Sequence, residues 1–323
     1  MTNLNIFKRV LLATTLVFGA QASSHADEAA PREIRFGFQK SAINLSLLKQ
    51  QQILEKRFPN STIRWNEFPA GPQILEALAV GSLDIGMTGD TPPIFAQAAD
   101  KPLYYVGFEA AKPKGSAVLV GKNSNIYKLA DLKGKRIALQ RGSSAHFLLV
   151  QTLKKAKLGW QDIQPVWLTP AEARAALERG AVDAWAIWDP FYAAAEKDGN
   201  VRVLTNGAGL SPNYTFYLAN PAFAKNYPQA LHGVLTELDN IDRWANKNRA
   251  AAVDVIAKST GLDTQVSAVF FDRRPHPAPV QALNATVIQQ QQAIADAFYQ
   301  LQLIPKTVEV SQIVWPAKSA SSK

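Results

Sequence analysis

The chain has 323 residues, of which 47% are hydrophobic, and it carries a formal net charge of +9. This length suits two domains of ordinary size. The chain contains no cysteine, which excludes disulfides and a lipid on an N-terminal cysteine. Its charges are scattered without a dense basic stripe, so a nucleic-acid role has no support. No histidine spacing indicates a metal site, and nothing indicates a cofactor.

Residues 1–26 have the pattern of a secretory signal peptide. Lys8 and Arg9 precede an apolar run over residues 10–20 that is too short to span a bilayer, and small residues then offer a cleavage site. Removing Lys8 and Arg9 leaves 33 basic against 26 acidic residues, a formal charge of +7. We therefore predict a freely diffusing, monomeric periplasmic protein whose mild positive charge helps to gather small anions.

Strands and helices alternate along the mature chain, which predicts parallel strand pairing with right-handed crossovers. The predicted strands are 33–38, 62–68, a buried strand through Leu83, Ile85 and Met87, 103–107, 117–120, 135–140, 165–168 and 214–219. The predicted helices are 44–57, 72–80, 145–157, 171–179, 228–246, 249–260 and 280–301. We expect the C-terminal part to be largely helical and residues 317–323 to be a disordered tail.

The buried strand leads directly into a helix start, which is a natural anion site. Gly89 permits close approach of the backbone to a ligand, and Thr91 before Pro92 has the composition of an N-cap followed by proline. The N-terminus of a helix offers unpaired N–H groups and the positive end of the helix dipole. This junction predicts binding of something negative.

The same arrangement occurs a second time, in residues 177–190. In both copies a glycine precedes an aspartate by three residues, and a second aspartate follows six residues later. The positions are Gly81, Asp84 and Asp90 in the first copy and Gly180, Asp183 and Asp189 in the second. Gln39 and Gln140 each lie 30 residues before a Pro-Ala pair, so the match extends upstream. Four landmarks in register predict two similar α/β lobes.

Two crossings between the lobes, near residues 116–120 and 214–219, predict a two-strand hinge that permits clamshell closure on a ligand. We predict a discontinuous lobe I formed by residues 31–117 and 218–316. Residues 118–217 form the predicted lobe II.

The loop Gly142-Ser143-Ser144 lies between a predicted strand and helix, where open α/β sheets bind ligands. Its hydroxyls and N–H groups could cradle an anion, or a serine could simply cap the helix; the matching junction in the other lobe favours the cradle. Trp185 is expected in the core, whereas Trp188 could form an apolar wall for a carbon chain.

Ser143 or Ser144, His146 and an aspartate could form a hydrolase triad. The sequence has no G-x-S-x-G elbow, and Ser144 and His146 are too close in sequence for their side chains to face each other. We therefore predict a hydrogen-bond donor role for His146 in the pocket. Asp90 and Asp189 are expected as helix N-terminal residues, although either could hold a ligand amine.

Several motifs resemble the aliphatic sulfonate-binding proteins of ABC importers, from about residue 34 to residue 315. They are Glu67-Phe-Pro-Ala-Gly-Pro-Gln73, Gly89-Asp-Thr-Pro-Pro-Ile-Phe-Ala-Gln-Ala98, Arg141-Gly-Ser-Ser144, Leu168-Thr-Pro-Ala171 and Val182-Asp-Ala-Trp-Ala-Ile-Trp-Asp-Pro190. Similar strings occur in relatives that bind taurine, nitrate and thiamine precursors.

This resemblance implies a type II periplasmic-binding fold and delivery of alkanesulfonates to an inner-membrane permease as a sulfur source. Carried over by position, the sulfonate would meet Gln39, Gly89, Asp90, Thr91, Gly142, Ser143, Ser144, His146 and Trp188; we add Asp189 and Thr215 to this predicted set. Residues 41–44 follow Gln39 and Lys40 where relatives are richer in glycine, which bears on the pocket's size. The alternatives are taurine, nitrate or a thiamine precursor as ligand, or an enzyme on the same fold.

Overall fold

The computed structural model describes residues 30–316. The predicted signal peptide and C-terminal tail lie outside this range. The strands are Glu33–Phe38 (β1), Thr62–Glu67 (β2), Ile85–Gly89 (β3), Tyr104–Glu109 (β4), Ser116–Gly121 (β5), Arg136–Leu139 (β6), Gln164–Trp167 (β7), Ala184–Trp188 (β8), Val201–Asn206 (β9) and Thr215–Ala219 (β10).

Helices separate most of these strands, as the alternation predicts. They are Ile43–Gln51 (α1), Ile53–Arg57 (α2), Gly71–Ala79 (α3), Thr91–Ala98 (α4), Ser144–Lys155 (α5), Pro170–Glu178 (α6), Phe191–Asp198 (α7), Pro221–Asn226 (α8), Pro228–Lys247 (α9), Arg249–Thr260 (α10), Thr264–Asp272 (α11) and Ala285–Gln300 (α12). Within residues 30–316, no helix has the length and apolar character needed to cross a membrane.

The strands form two five-stranded sheets with equivalent topology. Their orders are β2-β1-β3-β10-β4 and β7-β6-β8-β5-β9. In the first sheet β10 runs antiparallel to its neighbours, and in the second β5 does so, while the other pairings are parallel. Each sheet therefore receives its one reversed strand directly after the chain arrives from the other sheet. The predicted α/β fold with two separate sheets is confirmed, and each sheet is mixed, with two parallel and two antiparallel pairings.

The sequence repeat has a structural explanation at the sheet edge far from the cleft. Asp84 accepts the backbone N–H of Arg35 at 2.8 Å and pairs with its guanidinium at 2.7 Å. Asp183 holds Arg136 in the same way, at 2.8 and 3.1 Å. In each lobe the repeated aspartate thus ties the first strand of the unit to the loop before the third.

The chain crosses between the sheets in two linkers, 110–115 and 207–214, and not in the strands where the sequence predicts the crossings. The linkers contact each other, because the Lys112 N–H donates to the Pro212 carbonyl at 3.0 Å. The reason for the error is that β5 and β10 are buried strands belonging wholly to one sheet each. The position of the predicted crossings is corrected accordingly.

Five further elements differ from the sequence prediction. The helix predicted over 44–57 breaks at Gln52, whose φ of 53° is left-handed. The helix predicted over 280–301 begins only at Ala285, after Asn284 caps it by accepting the Val287 N–H at 3.0 Å. Strand β9 and helices α8 and α11 are not predicted at all.

Candidate functional site

A narrow cavity lies between the two sheets, at the carboxyl ends of β1, β3 and β8. Its volume is about 40 Å³, which is room for roughly three water molecules. Seven of the eleven predicted site residues line it: Gln39, Gly89, Ser143, Ser144, Trp188, Asp189 and Thr215. The location is the one expected of ligand sites in open α/β sheets.

The other four predicted residues, Asp90, Thr91, Gly142 and His146, do not line the cavity. Asp90 and Thr91 are fully buried in the turn from β3 into α4. Gly142 faces the ring of Phe95 with a φ of 70°, in a conformation that suits glycine. These residues lie behind the cavity wall and shape it from there.

The two strand-to-helix junctions meet across the cavity. A Cβ on Gly89, at the end of β3, would lie 2.1 Å from the Ser144 hydroxyl, at the start of α5. Any side chain at position 89 would therefore collide with the opposite lobe. Position 89 therefore requires glycine because the end of β3 and the start of α5 approach each other so closely.

The two helix starts differ in what they offer an anion. In α4 the N-cap is Asp90 and not the predicted Thr91, and Pro92 and Pro93 have no N–H group to donate. In α5 the first turn contains no proline, and the helix is 12 residues long. The N–H groups and dipole of α5 are thus the stronger attraction for a negative group.

The neighbouring serines of the loop have different hydrogen bonds. The Ser143 hydroxyl donates to the Gln140 carbonyl at 2.8 Å and is already occupied. The Ser144 hydroxyl is buried and makes no hydrogen bond of good geometry within residues 30–316, although it lies close enough to Asp90 to act to lower the pKa of that carboxyl. Because a buried polar group without a partner is costly, Ser144 is the hydroxyl that a ligand would satisfy.

Asp90 sits directly behind the Gly89 junction, at the start of α4. It is fully buried, and its Oδ1 accepts the Thr91 hydroxyl at 3.1 Å. Burial raises the pKa of Asp90 above its ordinary value, since desolvation disfavours the charged form.

His146 is enclosed by aromatic rings from both lobes. The ring of His146 lies 5.9 Å from Phe95, 5.0 Å from Phe298, 4.8 Å from Trp160 and 5.2 Å from Trp167. Its Nδ1 accepts the Gly142 N–H at 3.3 Å. It makes no hydrogen bond to a serine, so the described residues contain no serine–histidine catalytic pair.

Burial lowers the pKa of His146 to about 3, which makes protein stability depend on it in acid. Below pH 6.5 the unfolded chain binds a proton at this histidine and the folded chain does not. The free energy of unfolding should therefore fall by about 1.4 kcal/mol per pH unit as the pH drops below about 6.5.

We expect His146→Gln to remove this dependence while keeping an acceptor for the Gly142 N–H. Urea unfolding of both proteins between pH 7.5 and 5 measures it, because contributions of the other groups cancel in the difference. Parallel curves for the two proteins would contradict a neutral, buried His146.

Five of the residues that line the cavity and that the sequence analysis missed lie in the linkers or after α11. They are Lys112, Asn213, Tyr214, Arg273 and Arg274. Lys112 pairs with Glu109 at 3.5 Å and contacts the Thr215 hydroxyl. Arg274 is buried and pairs with Asp242 at 2.5 Å. A polar turn and a basic helix end are the only signals that the sequence gives for these positions.

Asp189, at the end of β8, pairs with Arg273, which directly follows α11. Its Oδ1 accepts from the Arg273 guanidinium and from the Ala193 N–H, both at 3.0 Å. Burial raises the pKa of Asp189 to about 7 although Arg273 acts to lower it. The carboxylate predicted as a possible partner for a ligand amine is thus already paired with a cation.

Comparisons with known proteins agree on one family. The family model described as "ABC transporter, phosphonate, periplasmic substrate-binding protein" matches residues 69–264. A protein of Escherichia coli strain K12 named as an aliphatic sulfonates-binding protein is 46% identical over 319 residues, covering 99% of each chain.

Two solved structures are also similar. The alkanesulfonate-binding protein of Xanthomonas axonopodis pv. citri, bound to MOPS, has a TM-score of 0.85 and 48% identity, covering 88% of this chain and 98% of that one. The periplasmic aliphatic sulphonate binding protein of Escherichia coli has a TM-score of 0.81 and 48% identity, covering 91% of this chain and 95% of that one.

Proposed function

This chain belongs to the periplasmic substrate-binding proteins of ABC transporters, and we propose that it captures alkanesulfonates in the inter-lobe cavity. It then delivers them to an inner-membrane permease for sulfur acquisition. The chain is secreted to the periplasm through a cleaved signal peptide and acts as a monomer without turnover of its ligand. The observation that carries the choice of ligand is the unpartnered, buried Ser144 hydroxyl at the N-terminus of α5.

A sulfonate matches this site because it stays singly charged at any biological pH. It needs only donors, and no general acid or base. We propose that its oxygens meet Ser144, Gln39, Gly89 and Thr215, while Asp90, Thr91, Gly142 and His146 support these residues from behind. Ser143 lines the cavity, but its hydroxyl already donates to the Gln140 carbonyl. Trp188 and Asp189 complete the wall. Hydrogen bonds to the charged head group then supply most of the selectivity.

We propose that the domain boundaries lie in the two linkers, with lobe I formed by residues 31–109 and 215–316 and lobe II by residues 116–206, because boundaries at 117/118 and 217/218 would divide β5 and β10. Membership of the strands in two separate sheets supports this division. The cavity's volume of about 40 Å³ accommodates a head group, so longer alkyl chains require the lobes to separate further. Closure of the lobes on the ligand would present one defined state to the permease.

Calorimetric titration and thermal-shift measurements with ethane-, propane- and octanesulfonate, taurine, sulfate and nitrate test the proposal. A ligand that binds only the folded state raises the melting temperature according to its affinity. We expect stoichiometric binding of alkanesulfonates with no product formed. No binding of any alkanesulfonate, or release of a product from one, would contradict the proposed function.

Taurine is the alternative ligand on which the structure bears most directly. An ammonium group would need a carboxylate in the cavity wall, and the candidate, Asp189, is paired with Arg273 at 3.0 Å. Glu109, the other carboxylate in the lining, accepts from Asn44 and Tyr217 at 3.1 and 2.6 Å. These existing partners favour an alkyl tail over an amine-bearing one.

Trp188→Ala should weaken binding more for longer alkyl chains. Trp188 lies in the cavity wall with 7% of its surface exposed, at the end of β8. Each CH₂ that the indole buries contributes up to about 0.8 kcal/mol, so the loss should grow from ethane- to octanesulfonate. Titration of both ligands measures this growth, with Trp185→Phe, a change in the core behind the cavity, as a control. A loss that is independent of chain length would place the tail elsewhere.

A further inference from the structure

Arg273 links the two lobes at the cavity wall. It follows α11, which packs on α10 in lobe I, and its guanidinium reaches α7 of lobe II. One side of the guanidinium pairs with Asp189 at 3.0 Å, and another nitrogen contacts Glu196. The guanidinium also lies 3.8 Å from the centroid of the Tyr192 ring. Only 18% of the side chain is exposed, so these contacts fix the cation in place.

Asp189 depends on this cation for its charge balance. It is 4% exposed, and its Oδ1 is used by Arg273 and by the Ala193 N–H, while its Oδ2 has no hydrogen-bond partner within residues 30–316. A buried carboxylate without a counter-ion would repel a sulfonate and attract an ammonium group. With Arg273 beside it, the Asp189–Arg273 pair is close to neutral, while Glu196, which shares the guanidinium, has 33% of its side chain exposed, so that solvent screens its charge.

The positive charge of Arg273 also acts on Oδ2 of Asp189, the oxygen that has no hydrogen-bond partner within residues 30–316. An ammonium group bound to Oδ2 would be separated from the guanidinium only by the Asp189 carboxylate, whose other oxygen binds Arg273. Asp189 is buried, so little water screens the two positive charges from each other. Like charges at such a distance repel strongly where solvent screening is weak. A methyl group in the same place would meet no such repulsion.

We infer that Arg273 is a specificity-determining residue, an inference that rests on the proposed sulfonate function. It provides the counter-ion for Asp189, a place that an ammonium group on the ligand could otherwise occupy. The cavity therefore favours sulfonates that have no amine. The ligand class that it rejects is the aminoalkanesulfonates. Arg273 acts through Asp189 and is in this sense a positioning residue as well.

Propanesulfonate and taurine form the matched pair of ligands for the test, because a methyl group in one replaces the ammonium group of the other. Calorimetric dissociation constants are measured at pH 8; removing Arg273 raises the pKa of Asp189 further, and a bound ammonium group would then take the place of the lost cation in keeping the carboxylate ionised. The quantity of interest is the ratio of the constant for taurine to that for propanesulfonate. A purely structural role of Arg273 would change both constants together and leave this ratio unchanged.

We expect the unaltered chain to prefer propanesulfonate and Arg273→Met to reduce the ratio at least about tenfold. Adding Asp189→Asn to Arg273→Met should restore the preference, since the freed carboxylate is then removed. Arg273→Lys keeps the charge and should keep the ratio. Arg273→Gln provides a second neutral variant should the methionine variant fold poorly.

Lys197→Met is the matched control. Lys197 also bridges α7 to the start of α11, with Asp263 at 3.5 Å, but it does not line the cavity. Its loss removes an inter-lobe cation without touching Asp189, so the ratio should stay unchanged.

The outcomes separate the inference from the proposed function. If the unaltered chain binds neither ligand, the proposed function itself fails. If it binds propanesulfonate but the ratio is the same in Arg273→Met, Arg273 does not determine specificity. If it binds taurine as tightly as propanesulfonate, Asp189 accepts an amine despite Arg273, and the inference fails while sulfonate binding stands.

Discussion

Replacing Gly89 by alanine is expected to weaken alkanesulfonate binding by at least about 100-fold without destabilising the ligand-free protein. The added Cβ would lie 2.1 Å from the Ser144 hydroxyl and 3.3 Å from the Ser144 Cβ. Both distances are shorter than a comfortable contact of about 3.5–4.0 Å between carbon atoms. The Ser144 hydroxyl must then turn away from the ligand, or the lobes must stay apart; either result removes donors from the head group.

The ligand-free protein should tolerate this change because the collision arises between the lobes. Alanine restricts the unfolded chain more than glycine does, which contributes about 0.4–1 kcal/mol in favour of folding at a compatible site. Calorimetric titration and urea unfolding of the same sample measure the two effects separately. Gly121→Ala is the control, because a Cβ there meets no heavy atom within 4 Å. Unchanged affinity in Gly89→Ala would show that the two junctions do not meet in the bound state.

The sequence predicts the sheets well because their signals are local. Buried strands such as β3 and β8 consist of apolar and small residues, and the repeated Gly and Asp landmarks mark the same turn in both lobes. Gly81 and Gly180 have φ values of 73° and 68°, which only glycine adopts easily. Patterns of this kind depend on neighbouring residues and so can be recognised without the fold.

Other elements have weak or misleading local signals. Every residue of β9 is half-buried at the edge of its sheet, so its apolar and polar residues do not alternate clearly. The break at Gln52 involves neither glycine nor proline, and packing imposes its left-handed conformation. The start of α11 does have a local signal, since Asp263 accepts the Gln265 N–H at 2.7 Å as an N-cap. This aspartate is not predicted to be a helix start in the sequence analysis.

The same distinction explains which site residues the sequence can predict. Ser144 and Gly89 belong to strand-to-helix junctions. The glycine and hydroxyl residues of such junctions can be recognised from neighbouring sequence alone. Arg273 lies 84 residues from Asp189, and nothing in its neighbourhood distinguishes it from an ordinary basic helix end. His146 shows the converse, because a polar residue beside a binding loop is predicted to face the ligand but is buried among rings.

Ser144→Ala is expected to weaken binding of every alkanesulfonate by about 10- to 100-fold. The hydroxyl is buried, makes no hydrogen bond of good geometry within residues 30–316 and lies at the N-terminus of α5. A hydrogen bond to a charged oxygen contributes roughly 1.5–3 kcal/mol, which corresponds to this range of affinity. Because the bond is to the head group, the loss should be the same for ethane- and octanesulfonate. Titration of the variant with both ligands measures it.

Ser143→Ala is the matched control for this prediction, since the two serines are adjacent and both line the cavity. The Ser143 hydroxyl donates to the Gln140 carbonyl at 2.8 Å, so its proton is not free for a ligand. Its removal should cost clearly less affinity than that of Ser144 and should instead reduce the free energy of unfolding by about 0.5–1.5 kcal/mol. Equal losses of affinity in the two variants, or a Ser144 loss that rises with chain length, would show that Ser144 does not bind the sulfonate head group.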